Sequence, residues 1–224
     1  KMGPRKNGEQ YPSGIMKWLK AFFRSSFPWN QESVCRRLRP LKFREATAED
    51  FPVCERLHID NEPFGVPSNH RSHFSEFLKN GDALTMMVED SNGIVGTCGI
   101  SWAAKSCAWL SYGLVRPDIR RSGIGTTMFI TRLSLLPTNM PDHVIGLSAL
   151  ETSLSFYQAL GFRLIGRFDS PDGNRYPLAT LSPVHSRIIE ECRTMLADAG
   201  TQVPNLTDKI PFAKVQAPSL MQSV

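Results

Sequence analysis

Apolar and polar residues follow one another along this chain in runs whose period switches between two and about 3.6, and the switches mark its elements. Leu41 to Ala46 reads as a strand, followed by Thr47 as an N-cap with the acidic Asp50 three residues on, opening a helix to about His58. A loop from Ile59 to Ser72, carrying Pro63, Gly65 and Pro67, leads to a short helix over His73 to Leu78. Ala83 to Glu89, the hairpin turn Ser91-Asn92-Gly93, Ile94 to Trp102 and Cys107 to Val115 predict a meander of three antiparallel strands. The run Gly123 to Leu136 is apolar around most of its circumference, which predicts a helix buried against that sheet. His143 to Leu150 is a strand and Glu151 to Leu160 a helix closed by Gly161. Phe162 to Phe168 and Arg175 to Leu181 are strands on either side of Ser170-Pro171-Asp172-Gly173-Asn174. Ser182 and Pro183 open a last helix, whose apolar face is Val184, Ile188, Ile189, Cys192, Met195, Leu196 and Ala199.

The ends lack this order. Residues 1–14 are polar and rich in Gly, Pro and Lys. Ile15 to Arg24 is amphipathic: Ile15, Met16, Trp18, Leu19, Phe22 and Phe23 share one face, with Lys17, Lys20 and Arg24 opposite. Such a helix suits a membrane surface or an acidic partner; the preferred reading packs it on the domain or on a second copy in a homodimer. Arg36-Arg37 and Arg39-Pro40 read as a solvated linker, and 201–224 as an extended tail. The expected division is an N-terminal extension over 1–40, a globular domain over 41–182, and a C-terminal helix and tail over 183–224.

Composition narrows the setting. A chain of 224 residues suffices for one domain with extensions, and its 41% apolar content for a core. No apolar run approaches the roughly 18 residues of a membrane span. Five scattered cysteines form no C-x-x-C pair, which argues against a zinc site or disulfide framework and for a reducing cytoplasm. A formal charge of +5 suits a polyanionic ligand but, with no accompanying motif, is too mild to argue for nucleic acid.

The chemistry gathers between the strand ending at Val115 and the helix beginning near Ile124. Arg120-x-x-Gly123-x-Gly125 lies there, with Arg121, Ser122, Ile124 and Thr126 around it. Glycines let an anion approach backbone N–H groups, and a helix start adds unpaired donors and a positive dipole end. The result is a phosphate cradle. Its spacing fits neither a Walker loop nor a Rossmann fingerprint.

With the strand before it, the helix after it and the downstream segment Phe156-Tyr157-Gln158-Ala159-Leu160-Gly161-Phe162, this turn resembles motif A of the GNAT superfamily of N-acetyltransferases. The resemblance covers roughly Leu41 to Leu181. It implies an α/β (α+β) fold with a central mixed, mostly antiparallel sheet of six to seven strands flanked by helices, and acetyl-CoA as co-substrate. It implies that pantetheine lies along the backbone of Leu114 and Val115, and that Arg120, Arg121, Ser122, Gly123, Ile124, Gly125 and Thr126 hold the pyrophosphate. Tyr157 is then the acid that protonates the leaving thiolate, and the acceptor is a primary amine of a small molecule or peptide. Glu62, Phe64, His70 and His73 are candidates for acceptor contacts. Leu150 and Ser153 stand where many members carry Asn and Ala. The strand Cys107 to Val115 offers no carboxylate as general base, and Glu62, His70 and Glu151 are open as replacements. The competing reading is a catalytically silent acyl-CoA-binding module on the same fold.

Overall fold

The computed structural model describes residues 27–63, 65–140, 142–169 and 173–212. Seven strands make one sheet in the order β1-β2-β3-β4-β5-β7-β6. They are β1 Lys42–Glu45, β2 Leu84–Asp90, β3 Gly93–Ala104, β4 Cys107–Val115, β5 Asp142–Ser148, β6 Arg163–Asp169 and β7 Arg175–His185. Neighbours are antiparallel except β4 and β5, which are parallel. The α-helices of the described residues are α1 Gln31–Cys35, α2 Phe51–Asp60, α3 Arg71–Asn80, α4 Ile124–Ser134, α5 Glu151–Ala159 and α6 Ser186–Asp198. This is the mixed α/β architecture, with a mostly antiparallel sheet flanked by helices, that the sequence predicts.

Alternation along the strands builds a core on each face. In β2, Met86 and Val88 join a cluster with Phe129 and Leu133 of α4 and Ile189 and Cys192 of α6. Met87, between them, points the other way, to Cys54 and Leu57 of α2 and Phe74 and Leu78 of α3. Every residue of α4 from Thr126 to Ser134 is buried, as its all-round apolar pattern requires.

Three expectations are corrected. β7 does not stop at Leu181: Val184 pairs with His143 and His185 with Asp142, and α6 starts only at Ser186. Val184 is fully buried, so sheet pairing overrides the local Ser-Pro helix signal. The arginine run is solvated as expected, with Arg36, Arg37, Arg39 and Pro40 exposed, but it is docked rather than a free linker. Behind the short α1, the Arg39 N–H donates to Thr127 Oγ1 at 3.0 Å and its Nε to the Ser122 carbonyl at 2.6 Å, while Trp29 packs edge-on to Phe129 at 5.7 Å. The first part of the tail is held as well. Gln202 exchanges backbone hydrogen bonds with Leu41 and Phe43, at 2.7 and 2.9 Å, and Trp102 N donates to Pro211 O at 2.7 Å. These are isolated pairings, invisible to a search for periodic apolar faces. The amphipathic stretch Ile15 to Arg24 and residues 213–224 lie outside the described residues.

A truncation follows from the held tail. Ending the chain after Gly200 removes the buried Leu206 and Ile210 and is expected to cost about 3–6 kcal/mol at about 1.5–3 kcal/mol per buried side chain. Ending it after Phe212 keeps those contacts. Thermal melts of the two truncations beside the parent check this; equal melting temperatures would show that the segment contributes nothing.

Candidate functional site

The turn between β4 and α4 begins with Pro117–Ile119 in a 3-10 turn and then alternates handedness. Arg121 has φ +62° and Gly123, the N-cap of α4, has φ +98°. Left-handed residues alternating with ordinary ones turn successive N–H groups toward one side, forming an anion-binding nest. Among the described residues, no backbone carbonyl accepts from the N–H groups of residues 121–126; the first hydrogen bond of the helix is Thr127 N to Gly123 O, at 3.0 Å. The cradle therefore holds a run of free donors at a positive helix end.

Its side chains have separate tasks. Arg121 is exposed at the rim. Arg120 is exposed as well, but its guanidinium is hydrogen-bonded to the buried Asn61 through Oδ1 and so ties the turn to the end of α2. Ser122 Oγ closes the turn on the Ile119 carbonyl at 2.6 Å. Gly123 has a neighbour the sequence does not reveal: a Cβ there would lie 2.0 Å from the Arg37 carbonyl oxygen. Gly125 faces Phe156 of α5, whose ring would meet its Cβ at an ordinary 3.6 Å.

From this turn a gap runs back between β4 and β5. The two strands pair only over Cys107, Ala108 and Trp109, opposite Val144, Ile145 and Gly146. Beyond Trp109, the flank of β4 has no partner strand among the described residues. Arg116 N donates to Val95 O at 2.9 Å, so strand alternation turns Leu114 toward β3 and the backbone groups of Val115 into the gap. A bulge sits farther in: the β3–β4 register shifts between Thr97 and Gly99, and Tyr112 has φ +39°. The bulge widens the gap into a cavity of about 530 Å³, lined among others by Trp109, Tyr112, Gly113, Arg132, Leu150 and Tyr157. The Tyr157 hydroxyl lies 3.9 Å from where a Gly113 Cβ would be, so it faces the bulge. Burial pushes the Tyr112 phenol up to about 12, so this second phenol remains protonated.

The acceptor candidates separate. His70 and His73 line the cavity, and His70 Nε2 lies 2.9 Å from the Tyr176 hydroxyl. Glu62 does not line it: its carboxylate accepts from Arg71 Nε at 2.7 Å and meets His58 Nδ1 at 2.9 Å. Arg71 first, and then His58, hold the Glu62 carboxyl below its ordinary value, which makes it a poor base. Glu151 is likewise held down by Arg167, 2.8 Å away at the surface. Of the three candidate bases, only His70 reaches the cavity. Phe64 lies outside the described residues. Sequence reading missed Arg132, Tyr112 and Tyr176; the signal for Arg132 was a charged residue inside an otherwise apolar helix.

A family model of the acetyltransferase (GNAT) family matches residues 43–162, more than half of the chain. The chain belongs to the GNAT family. Ard1 from Thermoplasma volcanium is similar to this GNAT chain at 17% identity, over 65% of this chain and 98% of that one, with a TM-score of 0.53. An aminoglycoside N(6')acetyltransferase from Legionella pneumophila is 16% identical over 70% of this chain and 96% of that one, with a TM-score of 0.50. At these identities the likeness is one of fold. No curated protein matches the chain significantly. GNAT proteins are acyltransferases that in general carry acetyl groups to amine acceptors. In this member Leu150 and Ser153, which replace the Asn and Ala frequent in the family, both line the cavity, and Ser153 Oγ donates to the Leu150 carbonyl at 3.1 Å. Among the described residues no helix is long and apolar enough to cross a membrane.

Proposed function

We propose that this GNAT domain transfers the acetyl group of acetyl-CoA to a primary amine of a small molecule or peptide. The observation that carries the reading is the unpaired flank of β4, which joins a nest of free N–H donors at one end to the Tyr157 hydroxyl at the other. The residues fit the ligand. The N–H groups from Arg121 to Thr126 would take the pyrophosphate, with Arg121 adding charge. Val115 would pair with the pantetheine amides as a strand would. Acetyl-CoA supplies an activated acetyl thioester. Arg120 serves indirectly, by fixing the turn against Asn61.

The chain's own groups then position and move protons. The cavity orients the amine toward the bulge at Tyr112 and Gly113. His70, bridged to Tyr176, is placed to take the ammonium proton before attack. The Tyr157 hydroxyl donates a proton to the departing sulfur and regains one from solvent.

The test is thiol release from acetyl-CoA across amines, peptide N-termini and lysine peptides, paired with a direct binding measurement. Turnover with one acceptor class supports the reading; binding without turnover on any of them would favour the silent module. Replacing Arg121 by Glu inverts the charge at the rim and is expected to weaken acetyl-CoA binding by about tenfold or more at low salt, less at high salt. Unchanged affinity at low salt would place the phosphates elsewhere.

A further inference from the structure

Arg132 lies in the last turn of α4, is 2% exposed, and lines the cavity. Its only hydrogen bond among the described residues runs from Nε to the Met128 carbonyl at 3.3 Å. No described carboxylate pairs with it. Its Nη2 and Nη1 atoms lie 3.6 and 3.8 Å from the point a Gly113 Cβ would occupy, the same point that the Tyr157 hydroxyl approaches to 3.9 Å. The resting protein thus keeps a guanidinium that no described carboxylate pairs, opening on the cavity beside its candidate acid, where an anion that forms there would meet it. The C-terminal end of the α4 dipole compensates the charge only in part.

We propose that Arg132 is a catalytic residue, its guanidinium stabilising the anion that forms at the thioester, first on the carbonyl oxygen and then on sulfur. The inference rests on the acetyl-CoA reading above. The amine, already relieved of its ammonium proton, bonds through nitrogen to the carbonyl carbon while the π pair moves onto oxygen, and the nitrogen, now positively charged, gives up a second proton to water. The pair then returns from oxygen, the carbon–sulfur bond breaks, and its electrons leave on sulfur. Tyr157 protonates that sulfur. The reactants, a neutral amine and a thioester, bring no negative charge to this spot. The cation is therefore matched to charge that develops during reaction, which is the condition for lowering a barrier rather than tightening binding.

The test uses the full chain with Arg132→Met and Arg132→Lys. Removing an unpaired buried cation in favour of an apolar side chain of similar length should leave the melting temperature unchanged or raise it. In the same Met protein kcat should fall by about 10²–10³-fold, with acetyl-CoA affinity within a few-fold of the parent, and Lys should recover part of the loss. A second readout needs no acceptor: the parent should bind CoA more tightly than desulfo-CoA by about tenfold, and the Met variant should lose that preference. A Met protein that melts lower yet keeps its kcat would make Arg132 structural and overturn the proposal. So would a Met variant whose sole defect is with succinyl-CoA, which would make Arg132 a reader of acidic acyl groups. If Met fails to fold, Lys with undiminished kcat and no CoA preference also overturns it. A parent that binds CoA without preferring the thiol rejects this inference alone; a parent that binds no CoA rejects the acetyl-CoA reading itself, and this inference with it.

Discussion

In a Tyr157→Phe protein, kcat at saturating amine is expected to fall by about 10²–10⁴-fold, the range lost with a positioned general acid. The ring should stay where it is. Tyr157 sits among Phe156 and Phe162, at centroid distances of 5.0 and 5.5 Å, and Phe makes the same edge-to-face contacts. Acetyl-CoA affinity and melting temperature should therefore hardly change, and the separation of kcat from binding is the measurement that matters. A purely packing role would leave kcat within a few-fold of the parent. A cofactor-contact role would weaken binding together with rate. Unchanged kcat would move proton return to water.

A second large effect is expected at Gly123, in stability. At φ +98° a side chain is strained, and a Cβ would stand 2.0 Å from the carbonyl oxygen of Arg37, a backbone atom that cannot swing aside. Gly123→Ala should cost about 3 kcal/mol or more and lower the melting temperature by roughly 6–12 °C for a chain of this size. Gly125→Ala is the control: it meets only the Phe156 ring at 3.6 Å, without a left-handed backbone, and should melt close to the parent. Equal melting of the two variants would mean that the 36–40 segment does not pack on the turn.

That pair also shows what could be read from the chain alone. R-x-x-G-x-G located the turn because its logic is local: free donors need a strand end, a helix start and residues that tolerate close approach. The meander and the buried α4 were legible for the same reason, since their periods are set by neighbours in sequence. Gly123 carries a second constraint that is not local. Its missing Cβ makes room for a carbonyl 86 positions earlier (123 minus 37), and nothing in a hexapeptide motif records that. Arg132 was hidden differently. Its spacing is that of a core position, so only the cavity opening beside Gly113 shows why a guanidinium stands there. The end of β7 was misread because Ser-Pro is a helix-start signal whose competitor, the pairing of Val184 with His143, lies far away in sequence.

The insertion of β7 between β5 and β6 bears on how the protein can be made. β5 pairs with β4 over only three residues, so its main partner is a strand that begins 27 residues after it ends (175 minus 148). The seam that closes the molecule, Thr201 Oγ1 to the Arg39 carbonyl at 2.6 Å, joins residues 162 apart. Contacts at such separations come late in folding, after the entropy of closing the long loop has been met. A nascent chain halted before Arg175 can assemble β1 to β4, and with them the turn at Gly123 and one wall of the gap, but not the opposite wall. During synthesis the glycine turn thus precedes the cavity, and the apolar edge of β5 stays uncovered until the ribosome has delivered β7.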